Sequence, residues 1–429
     1  MLEAEYACRS ADHTVSRRGF LGAAAALGAA GFASRGAAAE LNKSQKRVMV
    51  IYLAGGVSQL ETWDPKPGTD TGGPFAAIPT AVPGTHICEL LPHTAKQMKR
   101  IALVRGLNSQ SPDHGIGNTI MLTGRKPDPA IEYPHIGAVS AKLLGSDANA
   151  LPGNIHIFPN RNGGGAAFAG KAEAAFLGTR YASVSMGDGK APPELLRPPT
   201  LTEEADRQRE ALRAKLTTEF AKSRRSAATE AYAESFDQAE RVYRKSDVFD
   251  VSKEPAKLVE KYGKHDFGRH LLLGRRLLEA GVSYVKVSHS NYDTHHENFD
   301  FHIEQLGEFD RSFSALLDDL SDRGMLDSTL IVVMSEMGRT PKINERYGRD
   351  HWSKAWSVAL AGCGIKGGAV VGKTSANGME VTDREVYSAH LFHTYLKAVG
   401  VNPEKNFYPN ERPIPYADPK ASAITEILA

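Results

Sequence analysis

Four short stretches of the sequence each hold several closely spaced side chains able to ligate, titrate or hydrogen-bond. In Asn291-Tyr292-Asp293-Thr294-His295-His296-Glu297-Asn298 every residue can do one of these, more than a turn requires. Ser335-Glu336-Met337-Gly338-Arg339-Thr340 and Arg349-Asp350-His351-Trp352 add carboxylates, an imidazole and two guanidinium groups. Ser109-Gln110-Ser111-Pro112-Asp113-His114 leads into an apolar segment and adds a fourth histidine. Mixed carboxylate and imidazole ligands suit Zn²⁺, Mn²⁺ or Fe²⁺ better than Ca²⁺. On this reading the candidate ligands are Asp293, His295, His296, Glu336, Asp350 and His351. Each stretch also has a purely structural reading. Asp-Thr-His can be an ordinary loop, Glu336 a helix cap, and Asp350–His351 a buried hydrogen-bonded pair. His114 stands where a helix begins. The helix dipole there favours neutral imidazole, the form that ligates or acts as a base. The alternative is a histidine that only caps the helix.

The elements around these stretches decide whether they meet. Short apolar runs at Val48–Leu53, Ile101–Val104, Ile155–Phe158, Val282–Val287, Leu330–Met334 and Ser357–Ala361 read as buried strands. Phe267 to Ala280 and Phe301 to Arg323 have helical period and end at Gly281 and Gly324. Strands alternating with helices predict a largely parallel sheet covered on both faces. Ligands bind such sheets beyond the carboxyl ends of the strands. The helix from Phe301 makes the strands before Asp293 and Glu336 parallel, so their loops share an edge. Between Glu336 and Trp352 there are Gly338, Pro341 and Gly348 but no helical pattern. Without a helical crossover the next strand must run antiparallel, and its start returns to that edge. The ligand candidates should gather there, with His295 facing the site more than His296, because alternate residues of an extended loop face opposite ways.

Elsewhere the chain is plainer. Leu201–Ser246 is rich in Glu, Ala, Lys and Arg and predicts an exposed helical insertion around residues 200–246. Pro192, Pro193, Pro198 and Pro199 before it mark a linker. Gly163–Gly165 predict a mobile loop without the lysine of a phosphate loop. At the N-terminus, Ser16-Arg17-Arg18-Gly19-Phe20-Leu21, the weakly apolar Gly22–Ala33 and Ala37-Ala38-Ala39 read as a twin-arginine signal over residues 1–39. Its apolar run is too short to span a bilayer. The expected partner in export is the twin-arginine translocase, which carries folded and often cofactor-loaded proteins. The remaining residues 40–429 are expected to form one soluble periplasmic or secreted domain with no integral membrane segment. The chain has 429 residues and net charge +2, and removing Arg9, Arg17, Arg18 and Arg35 with Glu3, Glu5 and Asp12 leaves about +1. That balance argues against nucleic acid as a partner. Cys88 and Cys363 lie in no metal-binding spacing, and whether they pair is open.

The motifs resemble those of an exported bacterial family, the domain-of-unknown-function 1501 family. The resemblance rests on Gly55-Gly56-Val57-Ser58-Gln59-Leu60-Glu61-Thr62-Trp63-Asp64-Pro65-Lys66-Pro67, Leu122-Thr123-Gly124-Arg125 and Asp293-Thr294-His295. It also rests on Ser335-Glu336-Met337-Gly338-Arg339-Thr340-Pro341 and Gly348-Arg349-Asp350-His351-Trp352. Through it the chain resembles the alkaline phosphatase and sulfatase superfamily. That implies an alkaline-phosphatase-like α/β/α sandwich with a mixed, mostly parallel sheet and a metal site at the strand ends. The resemblance places His114 where sulfatases keep their modified cysteine, eleven residues before Arg125. Glu336 stands at an Asp-ligand position, Met337 replaces the next ligand, and His351 resembles a late His ligand. Gly55 and Gly56 stand where carboxylates follow the first strand, with Glu61 or Asp64 as substitutes, so one ion is expected rather than two. The implied function is metal-dependent hydrolysis of phosphate or sulfate esters of small molecules or polysaccharides. Asp293, His295, Glu336 and His351 would hold the metal, His114 would be base or extra ligand, and Arg339 or Arg349 would meet the anion. The alternatives are a non-catalytic binding or envelope-assembly protein that keeps the cleft, and a metal-holding scaffold.

Overall fold

The first strand, Arg47-Val48-Met49-Val50-Ile51-Tyr52-Leu53, is buried at all seven positions, as expected of a strand covered on both faces. Its alternate side chains enter two separate cores. Met49, Ile51 and Leu53 join one, and Val48, Val50 and Tyr52 join the other. The computed structural model describes residues 45–146, 149–158, 171–189, 200–223 and 227–429. The expected signal at residues 1–39, the glycine cluster Gly163–Gly165 and the prolines Pro192, Pro193, Pro198 and Pro199 of the expected linker lie outside the described residues.

Nine strands form the central sheet: β1 Arg47–Leu53, β2 Ile101–Asn108, β3 Asn154–Ile157, β4 Val184–Ser185, β5 Tyr284–His289, β6 Thr329–Met334, β7 Trp356–Gly362, β8 Val370–Val371 and β9 Val386–Tyr387. The order is β8-β2-β7-β6-β1-β5-β3-β4, with β9 also on β2. Every pairing is parallel except those of β7, which runs antiparallel to both β6 and β2. The six sequence-predicted strands are all present, and the antiparallel return is where the missing crossover required it. The two-residue strands β4, β8 and β9 are too short to leave a periodic signal.

The helices, in chain order, are α1 Pro92–Gln97, α2 His114–Thr123, α3 Ile136–Leu144, α4 Glu203–Ser223, α5 Ala227–Arg244, α6 Ala256–Tyr262, α7 Asp266–Glu279, α8 Asn298–Asp322 and α9 Ser388–Ala398. Leu271, Leu277, Phe309, Phe313 and Leu317 of α7 and α8 pack on the Met49/Ile51 face. Met121, Val139, Phe392 and Leu396 of α2, α3 and α9 pack on the Val48/Val50 face. The architecture is thus an α/β/α sandwich around a mixed, mostly parallel sheet, and Lys46–Ala429 form one compact unit. Helices α4 and α5 occupy the segment expected to be helical. They leave Leu212, Leu216 and Phe220 exposed, while Val242 of α5 is fully buried in the first core.

No helix among the described residues is long and apolar enough to cross a membrane. Cys88 and Cys363 are buried free thiols. Burial pushes the Cys88 thiol up to about 12, which keeps it protonated and chemically quiet.

Candidate metal centre

The carboxyl ends of β1, β2, β5 and β6 and the start of β7 lie along one edge, and the four polar stretches meet there. Two glycines allow the approach. Gly55 follows β1 at φ +115°, and a Cβ there would lie 2.4 Å from the Asp293 backbone nitrogen. A Cβ at Gly348 would lie 2.0 Å from the His295 carbonyl oxygen. Any side chain at either position would push the loop after β5 outward. A short antiparallel ribbon pairs His351 with Arg339 and Trp352 with Gly338, which folds the loop after β6 back over the edge.

Three imidazoles converge on Asp293. His114 Nε2 lies 3.3 Å from Oδ2, while His295 Nε2 and His351 Nε2 lie 3.2 and 3.1 Å from Oδ1. The last two nitrogens are 3.0 Å apart. Each ring has its other nitrogen against an acceptor: His114 Nδ1 on Glu336 Oε1 at 2.8 Å, His295 Nδ1 on Asp350 Oδ1 at 2.7 Å, and His351 Nδ1 on the Pro112 carbonyl at 2.8 Å. An acceptor at Nδ1 fixes the proton there and leaves the Nε2 lone pair for a metal. Ligand atoms of one ion, bound at about 2.0–2.1 Å, sit roughly 3–3.4 Å apart. His114, Asp293 and His351 offer atoms that all lie within 4.8 Å of one another. The donor set therefore fits a divalent ion of the nitrogen-preferring kind.

Charge is closely balanced in the cluster. Burial alone would raise the Asp293 carboxyl, but hydrogen bonds from His114, His351 and Arg339 hold it far below the usual carboxylate range. Burial likewise opposes ionisation of Glu336, and His114 beside it brings its carboxyl below the ordinary value. His295 lowers Asp350. Hydrogen bonds to Asp293 and Glu336 push His114 up to about 9. The sequence-based expectation of a neutral His114 is corrected for the metal-free site: two carboxylates outweigh the dipole of one helix end. An ion binding there displaces that proton.

Other expected roles are redistributed. Glu336 and Asp350 stand behind His114 and His295, respectively, and do not face the common centre. His296 points away, its side chain 54% exposed beside Glu297. Arg349, expected to meet an anion, is fully buried, with Nε 3.2 and 3.1 Å and Nη2 2.8 Å from the Glu61 oxygens. Its remaining donors go to the carbonyls of Thr71, Thr340 and Pro341. Arg339 is also fully buried, and donates to the carbonyls of Gly55, Gly56 and Arg349 and to Asp293 Oδ1. Neither guanidinium is free to grip a substrate. Glu61 and Asp64 do not substitute for missing ligands, because Glu61 serves Arg349 and Asp64 pairs with Lys66 at 3.0 Å. The Ser335 hydroxyl has its one proton between Leu53 O at 2.6 Å and Glu336 Oε2 at 2.9 Å and accepts from Gly56 N, and Thr294 donates to Asn298. The Pro112 carbonyl is the one contributor without a sequence signal, since a backbone oxygen has no residue-type signature.

Fold and site together define an α/β/α sandwich protein with a histidine–carboxylate cluster at the carboxyl edge of its sheet. Within that class, the chain belongs to the family described as "Protein of unknown function (DUF1501)", which matches residues 45–428. No curated protein matches it. Solved structures similar to it include a protein in the alkaline phosphatase superfamily from Vibrio parahaemolyticus, at 11% identity over 83% of this chain and 67% of that one, with a TM-score of 0.38. PsFucS1 sulfatase from Pseudoalteromonas sp. shows 12% identity over 83% and 68%, with a TM-score of 0.39. Alkaline phosphatase from the Antarctic bacterium TAB5 shows 13% identity over 83% and 98%, with a TM-score of 0.36.

Proposed function

We propose that the protein is a metal-dependent hydrolase of phosphate or sulfate esters, working in the periplasm or outside the cell. The observation that carries the reading is the convergence of three Nε2 atoms on Asp293, each with its Nδ1 already held by an acceptor. His114, Asp293 and His351, with His295 Nε2 beside His351 Nε2 at 3.0 Å, would hold a divalent metal. When bound, such an ion supplies Lewis acidity, polarising the ester oxygen and acidifying water. The chain's own residues do the rest. Glu336, Asp350 and the Pro112 carbonyl fix the three rings, so the site needs no rearrangement when substrate arrives. The hydroxyls of Ser335 and Thr294 are spent on neighbours, which favours water as the attacking group. Asp350, with its side chain 55% exposed, holds the proton on His295 Nδ1 and so keeps Nε2 of that ring turned toward the ion.

The absence of a free hydroxyl or guanidinium in the cluster also favours a second reading, a binding or envelope-assembly protein that kept the cleft. One experiment separates them. Protein exported by its native host is analysed for metals, then assayed with each metal found against phosphate monoesters, phosphate diesters and sulfate esters. Bound metal with ester turnover supports the hydrolase, whereas bound metal without turnover supports the second reading. Absence of any tightly held metal would defeat the hydrolase.

A further inference from the structure

Beside the histidine cluster lies a second cation-binding arrangement, and an arginine fills it. The carbonyl oxygens of Gly55, Gly56 and Arg349 and Oδ1 of Asp293 all face the Arg339 guanidinium, which is fully buried. Nε lies 2.8 Å from Gly56 O, Nη1 3.0 Å from Arg349 O and Nη2 2.5 Å from Asp293 Oδ1. Three backbone carbonyls and a carboxylate form an oxygen cage of the kind that takes a hard cation. The sequence after β1 is suited to the arginine. Gly56 has φ +89°, and a Cβ there would lie 3.2 Å from Arg339 Nε and 3.3 Å from Nη2, so glycine is the residue that lets the guanidinium sit against this turn without a shift. The ribbon pairing of Arg339 with His351 anchors the arginine backbone to the same edge.

We propose that Arg339 is a tethered cation that fills this cage, limits the centre to one divalent ion and positions Asp293 for it. The inference rests on the metal-centre reading above and adds the stoichiometry and the role of this side chain. Asp293 Oδ1 meets Arg339 on one side and His295 and His351 on the other, so the guanidinium fixes which way the carboxylate faces. Arginine suits the position because its planar fork serves several oxygens at once and stays charged when buried. Lysine would keep the charge but span fewer of the oxygens.

The test uses metal-stripped full-length protein titrated with Zn²⁺ by calorimetry, with elemental analysis of the ion retained through gel filtration. Wild type is expected to retain one Zn²⁺ per chain. Arg339→Ala, which leaves the space of the side chain open, is expected to bind it about tenfold or more weakly, with millimolar methylguanidinium restoring affinity. Arg339→Lys is expected to fall between the two. Two tightly held ions per wild-type chain would overturn this inference while leaving the metal-centre reading intact, and no held ion would overturn both. A folded Arg339→Ala with wild-type affinity, or with weakened affinity that methylguanidinium does not restore, would also overturn it. If Arg339→Ala fails to fold, Arg339→Lys with wild-type affinity or a second ion on the wild type would overturn it.

Discussion

Replacing Glu61 by glutamine isolates the buried pair that supports the site from below. Both side chains of the Glu61–Arg349 pair are fully excluded from water. Burial alone would raise the Glu61 carboxyl, but Arg349 beside it keeps it below its ordinary value. Glu61 accepts from Arg349 Nη2 at 2.8 Å, from Arg349 Nε at 3.2 and 3.1 Å, and from Asn298 Nδ2 at 3.0 Å. Glutamine keeps one acceptor oxygen and turns the other into a donor, which must then face Asn298 Nδ2 or Arg349 Nε. It also leaves the guanidinium without a counter-charge. Stranding one member of a buried pair costs about 3–5 kcal/mol. The carbonyls of Thr71, Thr340 and Pro341 still solvate Arg349, so the lower end, about 3 kcal/mol, is expected. Urea unfolding of metal-free wild type, Glu61→Gln, Arg349→Met and the double variant gives the coupling energy, expected at roughly 2 kcal/mol or more. Because Arg349 stands two residues before His351, Glu61→Gln should also weaken Zn²⁺ retention. A Glu61→Gln protein within about 1 kcal/mol of wild type, or strictly additive effects in the cycle, would refute the reasoning.

Three further outcomes follow from the geometry. His114→Ala should lose Zn²⁺ affinity by at least about tenfold and His296→Ala should leave it unchanged, both read by calorimetric titration. Asp350→Asn, which weakens the support of His295 Nδ1 without removing a ligand, should lower affinity by about 10–100-fold with the fold intact by circular dichroism. Acid should destabilise the protein well above the carboxylate range. Burial holds His135 down to about 3 and His270 down to about 4, so below pH 6.5 the unfolded chain binds protons that the native state refuses. Stability should therefore fall from pH 6.5 to 5 by roughly 3–4 kcal/mol for the pair. Urea midpoints that stay flat across that window would contradict this.

The fold was legible because its signals are local. Val48–Leu53 and Leu330–Met334 are apolar at every position, which only a strand buried on both faces needs, and the helical segments between strands end at Gly281 and Gly324. The antiparallel β7 was legible from the lack of any crossover helix between Glu336 and Trp352. That inference also placed His351 beside Asp293. The roles of the carboxylates were not legible, because residue type says that a group can ligate and not which atom it faces. A histidine that gives Nε2 to a metal needs an acceptor at Nδ1. A cluster rich in both residue types must therefore divide its carboxylates between binding and support, and here Glu336 and Asp350 fell to support. The arginines misled for a related reason. Whether Arg349 faces solvent is decided by Glu61, 288 residues earlier in the chain, and a motif read along the sequence contains no trace of that partner.

The division of labour also explains why so many charges lie under so small a site. On the proposed reading each of the three imidazoles presents Nε2 to the Asp293 side of the cluster, and free rotation about two side-chain bonds would scatter them. A carboxylate from the loop after β6, a carboxylate from the returning ribbon and a backbone carbonyl from the loop before α2 each fix one ring. Those three supports ride on three loops that must themselves be held in register. Arg349 ties the ribbon to Glu61 and Thr71, and Arg339 ties it to Gly55 and Gly56 at the end of β1. Buried ion pairs contribute little net stability, so their concentration under this edge is better explained by the positions they impose than by the energy they add. On that argument, loosening either arginine should weaken the metal centre even where the sandwich still folds.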